Sequence, residues 1–311
     1  MKNNCKKYIG EIMLVLSSLA FSFEWFFIRN LSSMGYSAFD IAFVRAFGAL
    51  LLLSVILPIF FKDIFNFKKI SRSDLKYFTI MGFIAVLTNV LFNLAFTYTT
   101  VANVLMVLYL SVFWGILFGA LFLKERSSIK KIIYTLLAFL GICLALVKGN
   151  NELALSIGIG ELLALITSFA WAMDSVVARK IKHTNPFFRM FFIYIIMTVI
   201  IFVIIVSIND LSYLQKFMSR DFLVYGFGLA ITAGVLGKGL MYLGINYVPV
   251  SIALVIMLLE PAAQMTTAYF FASEKLSLLN MFGIIIVFTM VVLISKNNKK
   301  DKKLLGDEII K

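Results

Sequence analysis

Ten runs of predominantly apolar residues occupy most of this chain, and they constrain its fold more than any other feature. A helix needs about 20 apolar residues to cross a bilayer. The runs are continuous and do not alternate between apolar and polar positions, which excludes a closed β-barrel. We therefore predict an all-α polytopic membrane protein with ten transmembrane helices. The predicted spans lie at about 10–29, 37–60, 76–96, 99–122, 130–148, 159–178, 186–207, 222–244, 250–272 and 278–295.

The composition excludes an ordinary soluble protein. Hydrophobic residues make up 61% of the 311 positions and charged residues 14%, against about 45–50% and 25% in soluble domains. We therefore predict that the apolar surface of the protein contacts the lipid bilayer. The net charge of +13 comes from basic residues in the short segments between runs, so we expect no nucleic-acid partner. Cys5 and Cys143 fit neither a disulfide framework nor a metal site, and we expect free thiols.

The distribution of Lys and Arg predicts the orientation in the membrane, because cytoplasmic segments carry an excess of both. With the N-terminus inside, the inside segments hold 22 of these residues, Arg189 among them, and the outside segments hold five. We therefore predict a multi-pass protein of the cytoplasmic (inner) cell membrane with both termini in the cytoplasm. The remaining two basic residues, Arg45 and Lys238, lie inside spans.

The chain contains an internal repeat. Residues 10–31 align with 160–181 at an offset of 150, which places Glu24 opposite Asp174. Residues 97–128 align independently with 246–277 at an offset of 149. Each copy holds five spans, an odd number, so the second copy crosses the membrane in the opposite sense. We predict two inverted five-helix repeats, 1–149 and 150–296, followed by a basic cytoplasmic tail, 297–311. Inverted repeats are typical of secondary transporters.

Several residues resemble those found at the same places in a known protein family. They are the acidic residues of LFLKER at 121–126 and FASEK at 271–275, Arg45 in the second span and Pro261 in the ninth. With the five-plus-five arrangement, the chain resembles the drug/metabolite transporter superfamily, EamA type, over nearly its whole length. The resemblance implies a central cavity lined by both halves and transport of small metabolites, often amino acids. The family commonly has proline in both halves, whereas the first half here has Val112, so the resemblance does not imply equal bending of spans four and nine.

Five charged residues stand out because they lie away from the ends of the predicted spans: Glu24, Arg45, Asp174, Lys238 and Glu260. A charge within a span costs about 2.5–3.5 kcal/mol on insertion scales, and such residues usually face the bundle interior. Their depths predict two pairs, Glu24 with Arg45 and Asp174 with Lys238. The pairs either fix the helix register as static ion pairs or flank the substrate cavity and rearrange between its open states as gating pairs.

The pairing leaves Glu260 without a basic partner near the middle of the ninth span. Burial disfavours an isolated carboxylate unless a cation or a proton neutralises it. Pro261, which follows it, removes a backbone donor and frees a carbonyl one turn earlier. Glu260 is therefore a candidate for binding a proton or a cationic substrate group. The alternative is a protonated carboxyl group hydrogen-bonded within the bundle.

Aromatic residues accompany the acids and suggest a cationic ligand, since ammonium and sulfonium groups are attracted to aromatic faces. Packing is the alternative for each of them except Trp171, because aromatic residues form 15% of the chain. The predicted substrate-binding residues are Glu24, Tyr109, Trp114, Trp171, Asp174 and Glu260, with Arg45 and Lys238 as charge pairs or gating residues.

These features predict a secondary-active transporter that moves a small metabolite, an amino acid or related amine, by alternating access. We predict no cofactor, no metal and no catalytic residue, with protons as a candidate coupling partner. The alternative substrate is a permanently cationic metabolite such as choline or S-adenosylmethionine. An intramembrane enzyme is disfavoured because HExxH, GxSxG and paired-aspartate motifs are missing from the sequence and the one histidine, His183, lies in a loop. A purely structural or receptor protein would not explain the inverted repeat.

Overall fold

The computed structural model describes residues 8–60, 70–125, 127–146, 158–272 and 277–309. Within these ranges the chain forms helices without strands, and ten helices are long and apolar enough to span a membrane. The predicted fold class is therefore confirmed. We number the spans α1 Ile9–Ser33, α2 Ala38–Phe60, α3 Arg72–Tyr98, α4 Ala102–Leu123, α5 Ile129–Leu146, α6 Ile159–Lys180, α7 Pro186–Ile208, α8 Arg220–Ile245, α9 Val250–Phe271 and α10 Leu278–Lys296.

Local capping signals set the starts of the spans. Ser71 and Asp74 form a reciprocal capping box at the start of α3, which begins four residues before the predicted apolar run. The Asn185 side chain accepts hydrogen bonds from the first backbone amides of α7, with Pro186 at the first helical position. The helix that contains α10 continues to Ile309, so residues 297–309 of the predicted basic tail are helical.

Three spans are interrupted near their middle by a tight turn. The turn lies at Ser22 and Phe23 in α1, at Tyr109 and Leu110 in α4, and at Leu258 in α9. The turns in α4 and α9 fall at equivalent places of the repeat, although only α9 carries a proline. The missing proline in the first half therefore does not remove the break. Short-range bonds such as Leu110 N–H to the Val107 carbonyl form this turn of α4, a local tightening often found at hinges.

The two halves interleave. The helix pairs α1 with α8, α2 with α7, α3 with α6, α4 with α9 and α5 with α10 are all in contact, and each pair joins one helix from each half. Glycines permit several of these contacts. A Cβ atom on Gly226 would lie 2.2 Å from Val44, and one on Gly48 would lie 2.7 Å from Ala230, so α2 and α8 approach closely through small residues.

The contact between α5 and α10 offers a test of the packing. A Cβ atom at Gly283 would lie 2.4 Å from the Ala145 backbone nitrogen and 2.5 Å from the Gly141 carbonyl oxygen. Backbone atoms cannot turn aside as a flexible side chain does. We expect Gly283→Ala to lower the free energy of unfolding by about 1–3 kcal/mol. Thermal unfolding in detergent measures this, with Thr289→Ala on the exposed face of the same helix as control. Equal melting temperatures would contradict the packing.

Contacts join different helices at both ends of the bundle. At the end that carries His183, its Nε2 lies 2.9 Å from Asp74 Oδ1, and the Val250 amide donates to Glu125 Oε1 at 3.0 Å. At the end that carries Asn209, the Tyr213 hydroxyl donates to Asp40 Oδ2 at 2.7 Å. We call these the His183 end and the Asn209 end. Hydrogen bonds therefore link separate elements at both ends in this conformation.

The acidic residue after α4 thus has a structural role, since Glu125 accepts hydrogen bonds from the first amides of α9. Its repeat partner Glu274 lies outside the described residues, as does Cys5. Cys143 is half-buried and is a free thiol, as predicted.

Candidate functional site

Both predicted charge pairs are confirmed in the interior of the bundle. Arg45 on α2 donates to the Glu24 carboxylate on α1, and both side chains are buried. Lys238 Nζ on α8 lies 2.6 Å from Asp174 Oδ2 on α6. The Tyr242 hydroxyl, which the sequence did not single out, donates to the two Asp174 oxygens at 2.9 and 3.0 Å. Asp174 is therefore held by two donors from one helix.

The first of two internal cavities, which we call the Glu260 cavity, brings four helices of the first half together with α6 and α9 of the second half. Its walls contain five of the eight predicted residues, and the other lining residues are polar apart from Phe92 and Leu108. The lining residues are Glu24, Arg45, Thr88, Asn89, Phe92, Leu108, Tyr109, Ser111, Thr167, Trp171 and Glu260.

The second cavity, which we call the Lys238 cavity, lies nearer the His183 end. Along α3 its lining begins at Ala85, one turn before Asn89, whereas the Glu260 cavity extends to Phe92. The lining residues are Arg45, Ala85, Asn89, Trp171, Met190, Ile193, Tyr194, Lys238 and Tyr242.

Three residues line both cavities: Arg45, Asn89 and Trp171. They form the wall between the cavities. The volumes are only about 20 Å³ for the Lys238 cavity and about 30 Å³ for the Glu260 cavity, space for a water molecule but not for a metabolite. Neither cavity can hold a metabolite in this conformation.

Glu260 occupies the centre of this region without an ion pair of its own in the described part of the chain. Gln264 Nε2 donates to Glu260 Oε1 at 3.2 Å. The buried Tyr109 hydroxyl lies within interaction range of the same carboxyl group but outside regular hydrogen-bond geometry. Glu24 and Arg45 are close enough to influence it electrostatically. The Glu260 cavity therefore holds two acids and one base.

A π-helical segment, Ala230–Gly237, precedes Lys238 on α8. Segments of this kind leave carbonyls without regular helical partners and often occur at functional sites. Here the carbonyls of the segment accept hydrogen bonds from the Ser17 hydroxyl at 2.7 Å, the Tyr194 hydroxyl at 2.7 Å and the Arg45 guanidinium at 3.5 Å. Three neighbouring helices thus hold the turn that directs Lys238 toward α6.

The predicted aromatic residues separate into two groups. Trp171 faces the cavities, with Lys238 Nζ 4.4 Å from the centre of its ring. Tyr109 also lines the Glu260 cavity. Trp114 lies elsewhere, at the contact of α4 with α6, where it donates to the Ser168 hydroxyl at 3.2 Å and stacks on Phe118. The structure does not bring Trp114 to either cavity.

Arg189 is the charged residue whose burial the sequence analysis did not predict. Its charge was counted among the cytoplasmic topology signals because it follows a basic loop, but its side chain is fully buried on α7. Its Nη1 donates to the Ala178 carbonyl at 2.7 Å, and its guanidinium lies 4.6 Å from the centre of the Tyr242 ring. Nε and Nη2 make no hydrogen bond to any described residue.

The internal repeat contains a pattern from which other cavity residues could have been predicted. The offset of 149 places Asn89 opposite Lys238, Tyr194 opposite Arg45 and Ser111 opposite Glu260. Each position is charged in one copy and polar in the other, and all of these residues line a cavity. The repeat therefore preserved polar positions at the centre while the charges diverged.

Ten spans in two inverted halves, with paired charges and small cavities in the interior, define a membrane transport protein. The EamA-like transporter family matches residues 8–147 and again 158–296. The chain therefore belongs to the EamA-like transporter family.

Two relatives and one solved structure are similar to this chain. An uncharacterized transporter of Bacillus subtilis, YxxF, is 21% identical, with 98% of this chain and 96% of the relative covered. An uncharacterized transporter of Archaeoglobus fulgidus is 23% identical over 90% of this chain and 93% of its own length. A crystal structure matches with a TM-score of 0.74 at 13% identity, covering 94% of this chain and 98% of that chain, which supports the fold alone.

Proposed function

We propose that this protein is a secondary-active transporter that moves an amino acid or related amine across the cytoplasmic membrane by alternating access. The observation that carries the proposal is the pair of charged cavities between the halves. They are too small for a metabolite in this conformation, and Arg45, Asn89 and Trp171 line both of them. Relative movement of interleaved inverted halves would open one end at a time around this centre.

The residues have distinct proposed roles. Glu260, with Tyr109 and Trp171 beside it, would bind the ammonium group or a coupling proton. Glu24 with Arg45 and Asp174 with Lys238 would flank the site and rearrange as it opens. No cofactor is needed for this cycle, because movement down a gradient of substrate or ion supplies the free energy.

Flux into proteoliposomes tests the proposal. Purified protein is reconstituted, and uptake of a radiolabelled mixture of amino acids and amines is compared with uptake into protein-free vesicles of the same lipids. Accumulation that depends on the protein and is lost on dissipating ion gradients supports secondary-active transport. Equal uptake into both kinds of vesicle for every compound would contradict it.

A permanently cationic substrate such as choline or S-adenosylmethionine is the second candidate. The observation that favours it is the surplus acid in the Glu260 cavity beside the aromatic faces of Tyr109 and Trp171. Competition by choline and by S-adenosylmethionine in the same uptake assay separates the two candidates.

The proposed orientation, with both termini in the cytoplasm, leads to a labelling prediction. In a variant lacking both native cysteines, we expect Asn209→Cys to react in intact cells with an impermeant maleimide. The basis is the excess of Lys and Arg at the opposite end. His183→Cys at that end is the matched control, since the His183 side chain is 63% exposed, and it should react only after lysis. The reverse pattern would show the opposite orientation.

A further inference from the structure

We propose that the Lys238 cavity is an anion subsite supported by Arg189, so that the transported molecule is a zwitterion with its cationic group at Glu260 and its anionic group at Lys238. This inference rests on the proposed transport function and narrows its substrate class. It adds Arg189, Tyr242 and the second cavity to the site predicted from sequence.

The charges around the two cavities are unequal in opposite senses. The Glu260 cavity has Glu24, Arg45 and Glu260, which leave one negative charge. The cluster beside the Lys238 cavity contains Asp174 and Lys238, and the fully buried Arg189 adds one positive charge. A zwitterion spanning both cavities would neutralise both clusters, whereas a simple cation would leave the positive cluster uncompensated.

Arg189 lacks the partner that its burial requires. A buried cation is usually paired with a carboxylate, yet Arg189 donates only to the Ala178 carbonyl, and Nε and Nη2 have no acceptor among the described residues. It reaches Asp174 only through Tyr242, whose ring it contacts and whose hydroxyl donates to both Asp174 oxygens. The Asp174 carboxylate therefore compensates the positive charges of both Lys238 and Arg189.

This arrangement allows Lys238 to leave Asp174. Lys238 lines the cavity, while the Asp174 side chain is only 2% exposed behind it. An entering carboxylate would meet the Lys238 ammonium first, together with the Asn89 amide. Asp174 would keep the hydrogen bond from the Tyr242 hydroxyl, whose one proton is shared between the two Asp174 oxygens, and the positive field of Arg189. Two cations would then face two anions, and no buried charge would be left unmatched.

The two subsites lie about one helical turn apart. Along α3, the Lys238 cavity is lined from Ala85 to Asn89, and the Glu260 cavity from Thr88 to Phe92. This offset corresponds to about 5 Å along the helix axis. The site therefore favours a molecule whose ammonium and carboxylate groups are several bonds apart over one that carries both on a single carbon.

Four probes of similar size test the inference by binding to purified full-length protein and by uptake into vesicles. They are 5-aminopentanoate, its isomer norvaline with both charges on one carbon, 5-aminopentanamide without the anion, and pentanoate without the cation. We expect 5-aminopentanoate to bind best and the amide to bind at least about tenfold more weakly, because a hydrogen bond to a charged group is lost. This comparison uses the wild-type protein.

Variants of Arg189 identify the source of the preference. Arg189→Gln should remove the difference between acid and amide, and Arg189→Lys should retain part of it. Arg179→Gln is the matched control. Arg179 also donates to a backbone carbonyl, that of Ile245 at 2.7 Å, and neither arginine lines a cavity, but only Arg189 has its guanidinium over the Tyr242 ring. The control should keep the full preference for the acid.

The outcomes separate this inference from the function on which it rests. Equal binding and uptake of acid and amide by the wild type would overturn the anion subsite and leave transport standing. A full preference for the acid in folded Arg189→Gln would overturn the role of Arg189. Failure of every amino acid and amine to bind or to be transported would overturn the proposed function as well.

Discussion

Glu260→Gln is expected to abolish high-affinity binding of a cationic substrate while leaving the fold intact. The amide keeps the shape of the side chain but removes the negative charge that Arg45 does not neutralise, since Arg45 is paired with Glu24. Loss of a charged hydrogen bond corresponds to a decrease in affinity of about ten- to a hundredfold. Because the substitution removes a buried charge without an ion pair, we expect the melting temperature to be unchanged or higher.

The same variant distinguishes a proton from a substrate cation at Glu260. If a proton is the partner, uptake by Glu260→Gln should lose its dependence on pH while substrate exchange continues. If the substrate cation is the partner, binding itself is lost at every pH. Both readings are checked by measuring binding and uptake across pH 5 to 8 in wild type and variant.

Glu161→Gln supplies the matched control for this experiment. Glu161 is also buried, but it accepts hydrogen bonds from Thr99 and Asn103 at the Asn209 end, away from both cavities. Its substitution should lower stability without changing the ligand profile. Wild-type binding and wild-type pH dependence in Glu260→Gln would identify Glu260 as a structural carboxyl group.

The spans and both ion pairs were predictable from sequence because each rests on a strong and local energetic rule. Apolar length determines which segments can cross a bilayer, and a charge inside a span needs a partner at its own depth. Glu24 and Arg45 lie at similar depth on neighbouring helices, as do Asp174 and Lys238 on helices of the same half. The structure joins each pair as these depths indicated.

The burial of Arg189 was missed because its position in the sequence is compatible with two orientations of the side chain. It lies three residues into α7, where a basic side chain usually extends along the helix to the membrane surface. Here its guanidinium instead turns onto Tyr242, one turn after Lys238 on α8. Only the packing of α7 against α8 determines that choice. The same holds for Trp114, whose hydrogen bond to Ser168 draws it to α6 and away from the cavities.

The breaks in α4 and α9 show that a single motif, such as a proline, does not by itself predict where a helix breaks. Proline explains a break in α9 by removing an amide donor, but α4 breaks at the equivalent turn with Val112 at the place of the proline. The repeated position of the break indicates that packing around the cavities, rather than the proline alone, shapes this turn. The adjacent Tyr109 lines the Glu260 cavity, so the break directs a cavity residue inward.

Glu24→Gln and Asp174→Asn are expected to impair transport at least about tenfold, but with different effects on stability. Glu24→Gln frees Arg45, which retains the Ala233 carbonyl and lies within electrostatic range of Glu260. Arg45 can then neutralise Glu260, so the protein still folds. Glu260 is then no longer free to bind the cationic group of the substrate. Thermal unfolding should change little, and uptake should fall to the level of Glu260→Gln.

In Asp174→Asn, the freed cation has no comparable alternative partner among the described residues. The substitution leaves Lys238 and Arg189 as two buried cations near the same Tyr242 ring, and removing one partner of a buried ion pair costs about 3–5 kcal/mol of folding free energy. Adding Lys238→Met to Asp174→Asn should restore most of this stability, because it removes one uncompensated charge, but it should not restore transport. A double-mutant cycle of melting temperature and uptake measures the two effects separately. If the double variant recovers both stability and uptake, then Asp174 and Lys238 are a static pair that holds α6 against α8, and the gate must lie in other residues.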